Sequence, residues 1–261
     1  MKKILMFILI AAMLCTALIS CNNQKSDLTA VEEAGKLVVG VTRYKPMDYL
    51  DDETGEWIGF DAELAQMFAE ELGVNCQLVI IPWSNKVAEL NGRQIDLVWN
   101  GMTATDELGE KIDFSVPYAK NAQVVIVKKG TTMTAEGLKD AKIAVETGSA
   151  GASVAEEIVK ATKINKVTAM VDALNEVLAG ASDAAIIDLT MAESVIGKGN
   201  YAELEMVDGL RYGEEVFAVG MRKGSDLKEK LDAFLKEKYA DGTMAKLLEK
   251  YQVVLNEETL K

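Results

Sequence analysis

The stretch DAELAQMFAEELGVNCQLVII, from residue 61 to residue 81, contains the two patterns that decide the fold. Its first part carries apolar residues at spacings of three and four and ends at Gly73, which predicts an amphipathic helix with a glycine stop. Its second part, residues 77–81, is a mostly apolar run of strand length. A helix that leads into a buried strand is the unit from which α/β folds are built.

The same alternation recurs along the rest of the chain. Helical segments separate strand-like runs at 36–41, 95–99, 122–127, 142–145 and 184–187. A last strand at 216–221 precedes two helices, the first of which is capped by Ser225. Strands that alternate with helices predict parallel sheets, and the break before residue 122 divides the chain into two α/β units.

The first twenty residues have the composition of a secretory signal peptide. A basic start (MKK) precedes the apolar run 4–19, which is short for a membrane span of about 20 residues. A retained membrane anchor is the alternative. The motif LISC resembles the lipobox of bacterial lipoproteins, which implies cleavage and lipid attachment at Cys21. We expect a signal peptide over 1–20, and the lipidated cysteine with a polar tether over 21–35.

The composition excludes several classes of function. The chain has no histidine, which rules out histidine-based triads and common zinc sites, and we expect neither a cofactor nor a metal. Its formal net charge of −13 argues against nucleic acid, since basic patches supply that affinity. Cys15 leaves with the signal and Cys21 is lipidated, so Cys76 has no disulfide partner.

Polar residues follow the ends of several predicted strands. Ligands of open α/β sheets bind beyond the carboxyl ends of the strands, which makes these positions candidates for a binding site. The candidates are Arg43 and Tyr44, Gly101 and Thr103, Ser149, and Asp188. The carbonyl of Gly101 is accessible and the hydroxyl of Thr103 donates or accepts, although both residues also fit a plain turn.

Two candidates suit charged groups. Ser149 opens a helix whose exposed N–H groups favour an anion, and Gly148 lets the backbone approach it. The alternative is that Ser149 or Ser153 only caps that helix. Asp188 at the mouth of a buried strand can pair with an ammonium group, or it can cap the helix that it opens.

Two aromatic residues lie just beyond strand ends. Tyr44 and Trp83 each offer a flat apolar face for the aliphatic part of a ligand or for a cation. Ordinary packing in the core is the alternative for both.

Longer motifs occur in an order typical of one family. The segments GEWIGFDAELAQMFAEELG (55–73), IPWSNKVAELNGRQIDLVWNGMTATDE (81–107) and DFSVPYAKNAQVVIV (113–127) resemble the polar amino acid-binding proteins of bacterial ABC importers, solute-binding protein family 3. Further matches are AVETGS (144–149), SDAAIID (182–188) and FAVGMRKGSDL (217–227). The resemblance spans nearly all of the mature chain.

The resemblance implies the type II periplasmic-binding-protein fold. In this fold, two α/β lobes with parallel sheets are joined by two crossing hinge strands and close on a ligand. Lobe 1 would comprise 36–117 and 222–261, lobe 2 would comprise 123–216, and the hinge strands would be 118–122 and 217–221.

The resemblance also implies roles for six of the candidates. Tyr44 and Trp83 would sandwich the side chain of the ligand. Gly101, Thr103 and Asp188 would hold its α-amino group. Ser149, at its helix start, would bind the α-carboxylate.

One departure concerns the α-carboxylate. Relatives usually read Thr-x-Glu-Arg after the turn, whereas this chain has Leu108, which cannot form a bidentate pair. Arg43 is our candidate for a replacement cation, ahead of Lys45 and Lys120. Alternatively, the helix start and nearby N–H groups suffice to bind the α-carboxylate, or the ligand lacks a free α-carboxylate. Arg43, Lys45 and Lys120 would then be solvated surface charges. Glu146 either favours a cationic ligand side chain or faces solvent.

The predicted function is capture of a polar amino acid and its delivery to the permease of an ABC importer. We expect a monomer, exported and anchored by lipid to the outer face of the bacterial cell membrane, that performs no reaction. One alternative is an enzyme on the same scaffold, similar to cyclohexadienyl dehydratases, with Glu146 or Asp188 as a general acid of tuned pKa. Another is a ligand-sensing partner of a membrane receptor.

Overall fold

The computed structural model describes residues 25–261. The predicted signal peptide at 1–20 and the predicted lipid attachment at Cys21 lie outside these residues. Between residues 25 and 261, no helix has the length and apolar character needed to cross a membrane.

Strands and helices alternate along most of the described chain. The strands are β1 (Lys36–Val41), β2 (Tyr49–Leu50), β3 (Trp57–Ile58), β4 (Asn75–Ile80), β5 (Leu97–Val98), β6 (Asp113–Phe114), β7 (Ala119–Lys128), β8 (Lys142–Glu146), β9 (Lys163–Val167), β10 (Ala184–Asp188), β11 (Leu204–Phe217) and β12 (Gly220–Met221). The α-helices are α1 (Asp27–Ala34), α2 (Phe60–Glu71), α3 (Lys86–Asn91), α4 (Asp106–Lys111), α5 (Ala135–Asp140), α6 (Ala150–Ser153), α7 (Met170–Ala179), α8 (Leu189–Val195), α9 (Leu227–Ala240), α10 (Thr243–Tyr251) and α11 (Glu257–Leu260).

The first lobe is built on a five-stranded sheet with the order β4-β1-β5-β12-β6. β1 pairs in parallel with β4 and β5, so the carboxyl ends of these three strands lie at the same edge. The apolar side of α2 buries Leu64 and Phe68 completely. The Phe68 ring lies 5.2 Å from the ring of Phe234 in α9, and Tyr251 of α10 accepts a hydrogen bond from the backbone N–H of Gly59 at 3.1 Å. These contacts place α9 and α10 in the first lobe.

The predicted tether is wrong from Asp27 onward, because α1 begins there. The hydroxyl of Ser26 caps the helix by accepting from the N–H of Thr29, and Gly35 ends it in the left-handed conformation. Asp27 is buried and accepts a hydrogen bond from Nε of Arg222 at 2.9 Å. Sequence patterns hide this packing because the two charged partners of Asp27 are distant in the chain, Arg222 by 195 positions and Arg93 by 66.

The second lobe is built on a five-stranded sheet with the order β11-β7-β10-β8-β9. β10, β8 and β9 are parallel, whereas β7 is antiparallel to both of its neighbours. In the first lobe, β12 is antiparallel to β5 and β6. The prediction of parallel sheets is therefore wrong for the strands next to the crossings, and both sheets are mixed. A buried apolar strand has the same sequence pattern in either direction, which explains the error.

The chain crosses between the lobes twice. It enters β7 at Ala119, leaves β11 at Phe217 and returns to the first sheet through β12. The two crossings lie side by side, because Ala119 pairs with Phe217 and Asn121 pairs with Glu215 in antiparallel register. Two crossing connections therefore join the lobes, as the predicted fold class requires.

Candidate functional site

A cavity of about 580 Å³, here called the cleft, lies between the two lobes. Residues beyond β1, β4 and β5 line one side, and residues at or beyond the ends of β8 and β10 line the other. All six residues to which the family resemblance assigns a role are on its wall. They are Tyr44, Trp83, Gly101, Thr103, Ser149 and Asp188. They converge because parallel neighbours end at the same sheet edge, and the two edges face each other.

Asp188 is the last residue of β10 and is only 5% exposed. Its Oδ1 accepts a hydrogen bond from Nδ2 of Asn121 at 2.9 Å and another from the side-chain amide of Gln123. It makes no capping bond to α8, so the capping alternative is not what the structure contains. Burial, followed by the charge of Glu215, raises the pKa of Asp188 to about 7, although the amide hydrogen bonds oppose this. A carboxylate in such a place gains from a cationic partner.

Thr103 connects the first lobe to the crossing strands. Its hydroxyl donates to Oε2 of Glu215 at 3.1 Å, and this oxygen also accepts from the amides of Asn121 and Gln123 at 3.0 and 2.9 Å. Because a hydroxyl has one proton, this bond leaves the lone pairs of Thr103 Oγ1 to accept from a further donor, such as an ammonium group. Glu215 was not predicted, since its role depends on the register between β11 and β7.

The turn at Gly101 is packed tightly against the wall of the cleft. Its φ is +55°, in the left-handed region that favours glycine. A Cβ at this position would lie 2.7 Å from the ring of Tyr44 and 3.2 Å from the ring of Phe217. The turn is therefore fixed by buried contacts and is not an exposed loop.

Tyr44 and Trp83 fit both the core-packing and the ligand-contact interpretation, because most of each side chain is buried and both residues also line the cleft. Their exposed fractions are 2% and 8%. The Tyr44 ring packs edge-on against Phe217, with centroids 6.4 Å apart. Within residues 25–261, the Tyr44 hydroxyl makes no hydrogen bond of normal geometry, although it lies close enough to Asp188 for each group to affect the pKa of the other. Burial, followed by the charge of Asp188, raises the pKa of Tyr44 well above its usual value.

Ser149 caps α6, as the alternative interpretation proposed. Its Oγ accepts from the N–H of Ala152 at 3.1 Å, and its own N–H donates to the carbonyl oxygen of Glu146 at 3.2 Å. The helix has only four residues and continues as a π-helical turn. Because an accepting hydroxyl keeps its proton, Ser149 is still able to donate to a ligand oxygen in the cleft.

Glu146 is the last residue of β8 and is only 3% exposed, so the alternative that it faces solvent is wrong. It lines the cleft, and its Oε1 has no hydrogen-bond partner within the described part of the chain. Burial, followed by the charge of Asp188, raises the pKa of Glu146 to about 8, although Lys86 opposes this. The cleft thus holds two buried carboxyl groups.

Lys86, the first residue of α3, was missed by the sequence-based prediction. It is 5% exposed and lines the cleft. Its Nζ donates to the carbonyl oxygens of Gly148 at 2.9 Å and Trp83 at 3.3 Å, and lies 4.6 Å from the centroid of the Trp83 ring. Burial lowers its pKa to about 8, against the effect of Glu146. The available signal was its spacing of three residues from Trp83, which places both side chains on one face of a helical segment.

The cations nominated from sequence lie elsewhere. Arg43 is exposed and lines a second cavity, not the cleft. Lys45 lies over the ring of Tyr49 at 4.7 Å, and Lys120 pairs with Glu258 at 3.7 Å. The position of Arg43 therefore does not support its nomination as the replacement cation.

Two α/β lobes with a charged, ligand-sized cleft between them define the type II periplasmic-binding-protein fold. The model of the bacterial extracellular solute-binding proteins, family 3, matches residues 37–254. The chain belongs to this family.

Relatives of known ligand cover almost the whole chain. The L-cystine-binding protein TcyJ of Escherichia coli K12 is 29% identical over 96% of this chain and 95% of its own length. The arginine-binding extracellular protein ArtP of Bacillus subtilis is 30% identical over 96% of this chain and 98% of its own. Both are amino acid-binding proteins.

Solved structures of similar proteins share the fold. An amino acid ABC transporter substrate-binding protein from Streptococcus pneumoniae, bound to L-arginine, has a TM-score of 0.79 at 32% identity and covers 88% of this chain and 100% of that chain. AncCDT-1, an ancestral amino acid-binding protein and precursor of cyclohexadienyl dehydratase, has a TM-score of 0.76 at 33% identity and covers 87% of this chain and 99% of that chain.

Proposed function

We propose that this protein captures a polar amino acid in the cleft and delivers it to the permease of an ABC importer. A lipid on Cys21 anchors it to the outer face of the bacterial cell membrane. The observation that carries the proposal is the convergence of groups suited to both ends of a zwitterion on one cavity between the lobes. Family membership supports an amino acid as the ligand, since the relatives named above bind amino acids.

The α-ammonium group is held by three acceptors. These are the buried carboxylate of Asp188, the oxygen of Thr103 and the carbonyl of Gly101. A buried ammonium group needs such partners, and charge-assisted hydrogen bonds are about twice as strong as neutral ones. Tyr44 and Trp83 contact the side chain of the ligand. Because both lobes supply contacts, the ligand favours the closed arrangement of the lobes over an open one.

The ligand has a cationic side chain. Among the described residues, the cleft is lined by two nearly fully buried acids, Glu146 and Asp188, and by one equally buried base, Lys86. Burial of unbalanced charge is costly, so a ligand with one net positive charge stabilises the cleft more than a neutral one. After Asp188 binds the α-ammonium group, Glu146 is left for the cationic end of the side chain.

A thermal-shift screen tests amino acid binding. The chain without its signal peptide is melted with each of the twenty L-amino acids and with L-cystine. A ligand at one hundred times its Kd stabilises the folded state by about 2.7 kcal/mol, which raises the melting temperature by several degrees. L-Arginine or L-lysine should give the largest shift. A flat response to the whole panel would reject the proposed function.

Anchoring and delivery are tested in cells of the source bacterium. Cys21→Ser should move the protein from the membrane fraction to the soluble exported fraction. Uptake of labelled amino acid should fall in the same strain without any change in affinity of the purified protein. Membrane retention of Cys21→Ser would reject the lipid anchor and leave amino acid binding standing.

One observation favours the enzyme alternative. The raised pKa values of Glu146 and Asp188 keep part of each carboxyl group protonated near neutral pH, as a general acid requires. A cationic ligand accounts for the same two acids without any reaction. Incubation with a cyclohexadienyl hydroxy acid decides between the two: growth of aromatic absorbance that Glu146→Gln abolishes would establish a dehydratase.

A further inference from the structure

The Lys86 side chain reaches across the cleft from the first lobe to the second. Its Nζ bonds to the carbonyl oxygen of Gly148, which directly precedes Ser149. The backbones are close here, since a Cβ added to Gly148 would lie 3.3 Å from Cα of Ser84. The ammonium group of Lys86 is therefore next to the helix start where the α-carboxylate of an amino acid is expected.

Lys86 is a buried cation with neutral partners. An ammonium group has three N–H donors. Nζ of Lys86 donates to two backbone carbonyls, those of Trp83 and Gly148. Within residues 25–261, no carboxylate lies within 4.0 Å of its Nζ, so the buried charge has no direct ion pair, and Glu146 acts on it only from a longer distance. Such a charge gains more from an anionic ligand group than an exposed lysine does.

The other lysines on the wall of the cleft already have carboxylate partners. Lys111 pairs with Glu107 at 2.6 Å, and Lys166 pairs with Glu156 at 2.7 Å. Both are exposed. In the part of the chain that the structure describes, Lys86 is thus the one cation of the cleft that lacks an acidic partner.

We propose that Lys86 binds the α-carboxylate of the ligand and takes the role of the arginine that the family resemblance places at Leu108. Leu108 lines the same cavity and packs on the apolar cluster that contains Trp83. The positive charge stays on the same wall of the cleft, but a different residue supplies it. On binding, Nζ exchanges the Gly148 carbonyl for the carboxylate, and the hydroxyl of Ser149 donates to the second oxygen.

This inference rests on the proposed function, because it requires an amino acid as the ligand. Its test uses wild type, Lys86→Met, Lys86→Arg, and the double variant Lys86→Met with Leu108→Arg. Each is titrated calorimetrically with the amino acid of the panel that most stabilises wild type, and with the methyl ester of that amino acid. The ester keeps the ammonium group and the side chain but has no anionic carboxylate.

We expect Lys86→Met to weaken binding of the free amino acid about 10- to 100-fold, the usual effect of losing a hydrogen bond to a charged group, and to leave ester binding unchanged. Lys86→Arg should keep most of the affinity, and Leu108→Arg should restore affinity in the Lys86→Met background. An equal loss for acid and ester would show that Lys86 only supports the fold, and would overturn the inference. If Lys86→Met does not melt cooperatively, the same comparison is made with Lys86→Gln.

The outcomes separate the two proposals. A wild-type protein that binds no amino acid removes the proposed function together with this inference. If wild type and Lys86→Met bind the amino acid with equal affinity, this inference is rejected and the proposed function stands.

Discussion

The backbone N–H of Gly101 donates a hydrogen bond of 2.6 Å to the buried carboxylate of Asp61. The same oxygen accepts from the hydroxyl of Tyr118 at 2.7 Å, and Tyr118 directly precedes the first crossing to the second lobe. Burial raises the pKa of Asp61 to about 7, although both hydrogen bonds oppose this. One buried acid in α2 therefore holds both a wall of the cleft and the start of a crossing strand.

Replacement of Gly101 by alanine should destabilise the protein more than the same change at Gly73. Both glycines have positive φ, but a Cβ at Gly73 meets nothing within 4 Å, whereas at Gly101 it meets the ring of Tyr44 at 2.7 Å. The change at Gly73 should cost about 1 kcal/mol of backbone strain, and the clash at Gly101 should add about 1–3 kcal/mol. Urea denaturation measures both. Equal losses would contradict the packing described for the turn.

The ligand-free protein should be more stable at pH 5 than at pH 8. Folding raises the pKa of Asp61 and Asp188 from 3.8 to about 7, and that of Glu146 from 4.5 to about 8. The folded state therefore binds more protons than the unfolded chain across this range, and the free energy of unfolding falls as the pH rises from about 4 to about 8. Thermal melts across this range measure the slope, and Glu146→Gln should reduce it. A stability that increases towards pH 8 would show that these acids are not buried as described.

Asp188→Asn should weaken amino acid binding about 30-fold or more, because the ammonium group of the ligand loses its buried counter-charge. The unbound variant should melt at the same or a higher temperature near pH 8, since the cost of a buried carboxylate is removed. Asp140→Asn, at an exposed position in the second lobe, is the matched control and should bind like wild type. Calorimetric titration measures both. Unchanged affinity of Asp188→Asn would remove this residue from the site.

Glu146→Gln should reduce the preference for a cationic side chain. We expect L-arginine to lose about tenfold in affinity relative to L-citrulline, its neutral analogue, because a charge-assisted hydrogen bond becomes a neutral one. Glu157→Gln, an exposed change in the same lobe, should leave the ratio of the two affinities as in wild type. A constant ratio in Glu146→Gln would mean that Glu146 does not contact the side chain of the ligand.

Asp27→Ala should lower the free energy of unfolding by about 1.5–3 kcal/mol, the usual effect of losing a hydrogen bond to a charged group. Arg222 loses one of its two acidic partners but keeps Asp96 at 3.1 Å, and Arg93 loses its ion pair with Asp27 at 2.8 Å. Glu33→Ala in the same helix removes only an exposed ion pair with Lys25 and should cost less than about 1 kcal/mol. Ligand affinity should be unchanged in both variants. Equal losses of unfolding free energy in the two variants would support the interpretation of this segment as a tether.

Much of the wall of the cleft was predictable from sequence because it follows from the order of strands and helices. Residues at or shortly after the carboxyl ends of strands line the cleft where those strands have parallel neighbours, as Tyr44 after β1, Gly101 after β5 and Asp188 at the end of β10 demonstrate. Arg43 also follows β1, but it is exposed and lines a second cavity, whereas its neighbour Tyr44 is buried and lines the cleft. The position of a residue after a strand predicts the edge of the sheet at which it lies, but it does not predict the direction of its side chain.

By itself, the sequence determined the alternation of strands and helices, the polar strand ends and the family, because these depend on residues close together in the chain. Only the tertiary structure decided which charges share the cleft. Lys86 and Gly148 lie 62 positions apart, and Asn121 and Asp188 lie 67 apart, yet both pairs are in hydrogen-bond contact. The ionisation of Glu146 and Lys86 depends on their burial and on each other's charge, and neither can be known before the chain has folded.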